Sequence, residues 1–161
     1  AAKAARQNMV YVGANDGMLH AFSARGGGSD PVQYMNTATG YIAAGPGAGI
    51  IQVSGGDEAW AYIPTMVLPK LFTLADKNYA NKNQFFVDGT PVTGDICPTV
   101  PSTACTGSQW KTILVGGLNG GGKGYYALDI TNPAAPKALW EFTTANDANV
   151  GYGYGNPQII S

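Results

Sequence analysis

Charge is scarce in this sequence. Only 12% of its 161 residues are Asp, Glu, Lys or Arg, against about 25% in ordinary domains, and the formal net charge is -1. That leaves no basic stripe for nucleic acid, no cationic face for anionic lipid and no acidic tail. Histidine occurs once, as His20, so no site built on several histidines exists within the chain. No apolar run approaches the roughly 20 residues that span a bilayer. The longest, Gly49-Ile50-Ile51-Gln52-Val53, has the length of a strand, and no transmembrane segment is expected. No basic n-region precedes an apolar h-region, so no signal peptide is read in these residues. The alternating aspartates of a calcium loop, Asp-x-Asp-x-Asp-Gly, do not occur.

Glycine and aromatics fill the space that charge leaves. There are 23 glycines, 10 prolines and nine tyrosines, and the aromatic fraction is 11%. Frequent turns combined with aromatics and few helix formers read as an all-β protein. Residues 1–8 carry no strand signal and read as a linker or tail, with the folded segment at 9–161. Met9-Val10-Tyr11-Val12-Gly13 and Met18-Leu19-His20-Ala21-Phe22 flank Asn15-Asp16-Gly17, and Asp-Gly predicts a tight hairpin. Residues 24–49 read as a long insertion loop. A strand over 58–64 ends at Pro64. Met66, Val67, Leu71, Leu74 and Ala75 then fall at helical spacing, which predicts one short helix over 65–76 with Thr65 as N-cap. Strands are expected over 84–88 and 91–96, over 110–116 and 124–130, and over 138–142. Another is expected to begin at 157–160. Cys97 and Cys105 bracket a proline-punctuated loop without histidine, a poor metal site, and are expected to form a disulfide. Such a bond implies an oxidising compartment.

Two segments repeat. Val12-Gly13, an Asn-Asp-Gly turn and Leu19-His20-Ala21-Phe22 resemble Val115-Gly116, an Asn119-Gly120 turn and Tyr125-Tyr126-Ala127-Leu128-Asp129. Repeated hairpins of this type mark β-propeller blades, which take about 40–50 residues each in rings of 4–8. The chain therefore has room for two to three blades of a larger ring, with sheet edges open to self-association.

Several motifs imitate chemistry. Gly117-Leu118-Asn119-Gly120-Gly121-Gly122-Lys123-Gly124 approaches a phosphate loop. However, Gly124 replaces the Ser or Thr that ligates magnesium, and a strand follows where a helix belongs, so a hairpin loop is expected. Gly45-Pro46-Gly47-Ala48-Gly49 lacks the βαβ setting of a dinucleotide site. His20 reads as a structural strand residue, and Asp16 and Asp88 as turn residues beside glycine. Asp57-Glu58 reads as a surface pair. Trp60, Trp110 and Trp140 are expected in strands, packing between sheets. No catalytic constellation, cofactor site or metal site is expected.

Four blocks in order resemble the PilC/PilY family. They are residues 10–22, Asp57-Glu58-Ala59-Trp60-Ala61-Tyr62-Ile63-Pro64, Phe86-Val87-Asp88-Gly89-Thr90-Pro91, and 110–129 with its Gly-Gly-Leu-Asn-Gly-Gly-Gly-Lys-Gly centre. These proteins are type IV pilus tip-associated adhesins and biogenesis factors. The resemblance implies the early part of a quinoprotein-like C-terminal β-propeller, non-enzymatic, exported to the cell surface, outer membrane and pilus tip. It implies pilus-tip components such as minor pilins, and host or abiotic surfaces, as partners, and roles in pilus extension, adhesion and twitching motility. The family's calcium loop has no counterpart among these residues, and Arg25-Gly26-Gly27 is not an Arg-Gly-Asp motif. Two alternatives stand beside this reading: a quinoprotein-type dehydrogenase propeller, and a generic protein-interaction propeller. For the first, the cysteines are not adjacent and no catalytic aspartate can be placed.

Overall fold

The computed structural model describes residues 7–24, 33–36, 42–43, 50–99 and 105–160. The strands are β1 Met9–Gly13, β2 Leu19–Ser23, β3 Gln33–Asn36, β4 Ile42–Ala43 and β5 Ile50–Val53. They continue with β6 Glu58–Tyr62, β7 Val92–Ile96, β8 Lys111–Gly117, β9 Gly124–Asp129 and β10 Lys137–Thr143. Three antiparallel sheets result, ordered β1-β2-β6, β7-β8-β9-β10 and β4-β3-β5.

The predicted hairpin is β1–β2, with Tyr11 opposite Ala21 and Gly13 opposite Leu19. Its turn needs Gly17, which sits at φ +96°, a conformation that costs other residues steric strain. Asp16 Oδ1 accepts the Met18 amide and closes the turn from the side chain. The second hairpin is β8–β9, where Val115 lies opposite Ala127. It is embedded in a four-stranded meander in which each strand pairs with the next.

Residues directly opposite one another share a face. Tyr126, Leu128 and Leu114 lie on one face of the meander and are fully buried with Leu19, Val67, Phe86 and Val87 in the core between the two larger sheets. Across the core, Tyr62 and Tyr126 meet at 5.6 Å between ring centroids. Burying such side chains is worth about 1.5–3 kcal/mol each, which makes this seam the main source of cohesion.

The expected short helix is present; what differs is the 24–49 loop, the 84–88 strand, the helix's type and cap, and the 157–160 strand. The 24–49 loop contains strand pairing: β3 pairs with β4, and on its other side with β5. Segment 84–88 joins no sheet and bends at Phe86 and Val87, because the turn of the first hairpin takes the amides of those two residues. Phe86 N donates to Asn15 Oδ1 and Val87 N to the Ala14 carbonyl. The helix spans Thr65–Ala75 as a 3-10 helix, and Pro69 removes an amide from its interior. Thr65 is inside that helix and does not cap it; its amide is instead held by the Glu141 carboxylate of β10, at 2.7 Å. Residues 157–160 form no strand. Ile159 rests against Gly94 of β7, while Ile160 is 93% exposed. Of the expected tail, Gln7 and Asn8 dock on the fold: the Gln7 amide donates to Ser23 Oγ at 2.7 Å, and Asn8 O accepts the Ala24 amide.

Candidate functional site

The seam between the two larger sheets is closed by the 85–89 segment and by a lysine. Gly121 lies so close to the Phe86 backbone, and Gly89 to that of Gly117, that a β-carbon at either glycine would collide with a main chain. Asp88 Oδ2 accepts the Gly120 amide, tying the segment to the second hairpin's turn. From the 3-10 helix, the Lys70 ammonium donates to the Phe85 carbonyl at 2.9 Å and to the Gly121 carbonyl, and it stands 4.8 Å from the centre of the Phe86 ring. Burial lowers the pKa of this ammonium. One cation thus joins the helix, the segment and the turn.

His20 bridges two carboxylates. Nδ1 is 2.7 Å from Glu58 Oε1 on β6, and Nε2 is 2.8 Å from Asp16 Oδ2 in the hairpin turn. The hydrogen bond to Glu58 is the main cause raising the pKa of the imidazole, burial opposes it, and Asp16 adds to the rise. With both nitrogens engaged on opposite sides, the histidine works as a cross-link between strands.

A third arrangement lies at the open edge of the four-stranded sheet. Glu141 Oε1 accepts the Tyr62 hydroxyl at 2.6 Å and the Thr65 amide at 2.7 Å. Burial first, and the bond to Glu141 second, push the Tyr62 phenol far above its ordinary range, so it stays protonated and donates. Around this carboxylate opens a cleft of about 530 Å³ lined by Tyr62, Thr65, Met66, Leu139, Glu141 and Thr143, with Ala138 and Trp140 at its strand edge.

The residues singled out in the sequence take these places. Cys97 and Cys105 are joined, with Cα atoms 5.9 Å apart, and staple the connection between β7 and β8. The glycine run 117–124 is the β8–β9 hairpin with a 3-10 turn, Asn119–Gly121, and no helix follows Lys123. Asp57 closes its own turn by accepting the Ser54 amide, while its neighbour Glu58 reaches His20. Gly45-Pro46-Gly47-Ala48-Gly49 and Arg25-Gly26-Gly27 lie outside the described residues. Of the three tryptophans only Trp60 joins the sheets: it packs on Tyr11 and donates Nε1–H to the Pro133 carbonyl at 2.8 Å. Trp110 precedes β8 and Trp140 sits on edge strand β10, exposed by 38% and 47%. Among the described residues no three His, Cys, Asp or Glu side chains come together as a metal site. The carboxylates of Asp16 and Glu58 serve His20, those of Asp76 and Asp129 face Lys82 and Lys111, and that of Asp88 accepts the Gly120 amide. The Lys70 pin and the Glu141 cleft have no signature in the sequence, because each is assembled from elements far apart in the chain.

A four-stranded antiparallel meander beside a second sheet carrying the same hairpin defines this chain as a sector of a β-propeller. A family model described as the PilY1 beta-propeller domain matches residues 1–161. The type IV pilus biogenesis factor PilY1 of Pseudomonas aeruginosa PAO1 is 35% identical over 159 residues, which cover 98% of this chain and 10% of that protein. A PilY1 homologue from Xylella fastidiosa Temecula1 is 36% identical over 159 residues, covering 99% of this chain and 10% of its own length. The crystal structure of the P. aeruginosa PilY1 C-terminal domain matches with a TM-score of 0.56 at 32% identity, over 95% of this chain and 22% of that one. The chain belongs to the PilY1 β-propeller family, and it spans about a tenth of the length of these curated relatives. No helix among the described residues is long and apolar enough to cross a membrane.

Proposed function

We propose that this chain is a rigid, non-enzymatic sector of a type IV pilus tip-associated propeller. It supports pilus biogenesis and extension, surface adhesion and twitching motility. The observation that carries the reading is the match along nearly the whole chain to pilus biogenesis factors, on a blade architecture. The physical role is presentation. Two interlocked sheets, one of them with its β7–β8 connection stapled at Cys97–Cys105, hold connecting segments in fixed positions at the cell surface, where minor pilins and host or abiotic surfaces are the partners. No cofactor is assigned to this segment; calcium dependence, where the parent protein has it, belongs to residues elsewhere.

The test is made in the parent bacterium. The chromosomal copy is replaced by one lacking this segment and by one carrying Phe86→Ala, with protein levels equalised by immunoblotting. Sheared surface pili and twitching zones are then measured. Both are expected to fall sharply. Normal piliation and twitching without the segment would overturn the reading.

A further inference from the structure

We propose that the cleft around Glu141 is a binding site for a primary alkylammonium group: a charged amine on an aliphatic stem. Its acceptor is built in advance. Oε1 of Glu141 is saturated by the Tyr62 hydroxyl and the Thr65 amide, which fix the carboxylate in place, while Oε2 has no protein partner among the described residues. A carboxylate held by two donors and left with one open oxygen suits a compact point charge. It does not suit the two-toothed grip of a guanidinium, which needs both oxygens. The walls fit the rest of the ligand. Met66 and Leu139 offer apolar surface to a methylene stem, and Leu139 is 48% exposed on the cleft side of an edge strand. The Thr65 and Thr143 side chains line the same cleft, the Thr143 hydroxyl being engaged with Ala145 and Asn146, so Glu141 is the acceptor on which the ammonium depends. At about 530 Å³ the cleft falls in the range of small-ligand sites and is open enough to admit a side chain from outside. The group comes either from a free amine or from a lysine of another polypeptide; the recognition chemistry is the same. This inference does not depend on the pilus reading.

The experiment titrates the intact protein with n-butylammonium, n-butanol and N-ethylguanidinium, followed by NMR or calorimetry. Glu141→Gln keeps an oxygen for Tyr62 and Thr65 but removes the charge. Leu139→Lys leaves Glu141 untouched and plants a tethered ammonium at the mouth. Butylammonium is expected to saturate, with n-butanol and ethylguanidinium weaker. Binding is expected to fall about tenfold or more in Glu141→Gln and to vanish in Leu139→Lys, with both variants melting as the parent protein does. A lysine-containing peptide that binds more tightly than butylammonium identifies the source as a polypeptide, and equal affinity identifies a free amine; either result supports the site. Unsaturable butylammonium binding, or equal affinity in the parent protein and in Glu141→Gln, overturns it. If Glu141→Gln melts early, Leu139→Lys decides alone: undiminished binding there also overturns the proposal.

Discussion

Truncating Phe86 should loosen two turns that are far apart in sequence. Phe86 is fully buried, its amide is held by Asn15 of the first hairpin turn, and its backbone abuts Gly121 of the second. Phe→Ala in a packed core costs about 3–5 kcal/mol. Loss of the ring under Lys70 adds about 0.5–1 kcal/mol, since that ammonium keeps its two carbonyl partners. A total of about 5 kcal/mol is a large share of the roughly 5–15 kcal/mol that holds a domain together. It corresponds to a rise of roughly three to four orders of magnitude in the opening equilibrium. Native-state hydrogen exchange of Phe86→Ala in the intact protein is the assay. Protection should fall together in peptides covering residues 14–18 and 118–122. Phe86→Leu, which keeps most of the volume, should cost less than about 1.5 kcal/mol. Loss of protection at one turn with the other unchanged would refute the claim that Phe86 couples them.

The single histidine makes a second prediction clean. Its raised pKa means the protonated form is bound more tightly in the folded state, so its stabilisation is complete below about 6.5 and disappears as pH rises through the folded value. NMR titration should place His20 above 6.5; a value at or below that contradicts the double carboxylate bridge. Replacing both Cys97 and Cys105 with serine should cost about 2–3 kcal/mol, as expected for a short closed loop, read as a lower melting temperature. Increased exchange along β7–β8 should accompany it, and an unchanged melting temperature would count against a stabilising staple. Gly121→Ala should destabilise severely because a main chain blocks the β-carbon, whereas Gly151→Ala, with open space, should stay within about 0.5 kcal/mol. Equal melting of the two variants would argue against the close approach at Gly121.

What was legible in the sequence was whatever a local rule governs. Asp16-Gly17 dictates its turn, alternation dictates β2, and the run from 111 to 117 and its partner after the glycine loop dictate β8 and β9, so the repeated hairpin and the propeller reading followed. Local pattern and tertiary demand part company elsewhere in the chain. Phe85-Phe86-Val87 has the composition of a strand, but composition reports only that a segment is buried. Which groups receive its amides depends on a turn that lies about seventy residues earlier in the sequence. The 65–75 helix was visible as a period, but not as 3-10, because its end is fixed by Glu141 from a strand still to come. Trp140 misled for the same reason. An aromatic in a strand predicts a buried face, yet β10 is a sheet edge within this sector, and the face that holds Trp140 and Phe142 lies opposite the core. In a ring, each blade covers the exposed face of the one before it. The exposure of Trp140 and Phe142, by 47% and 43%, is therefore what a sector of a larger propeller should show, and it follows from topology where composition is silent.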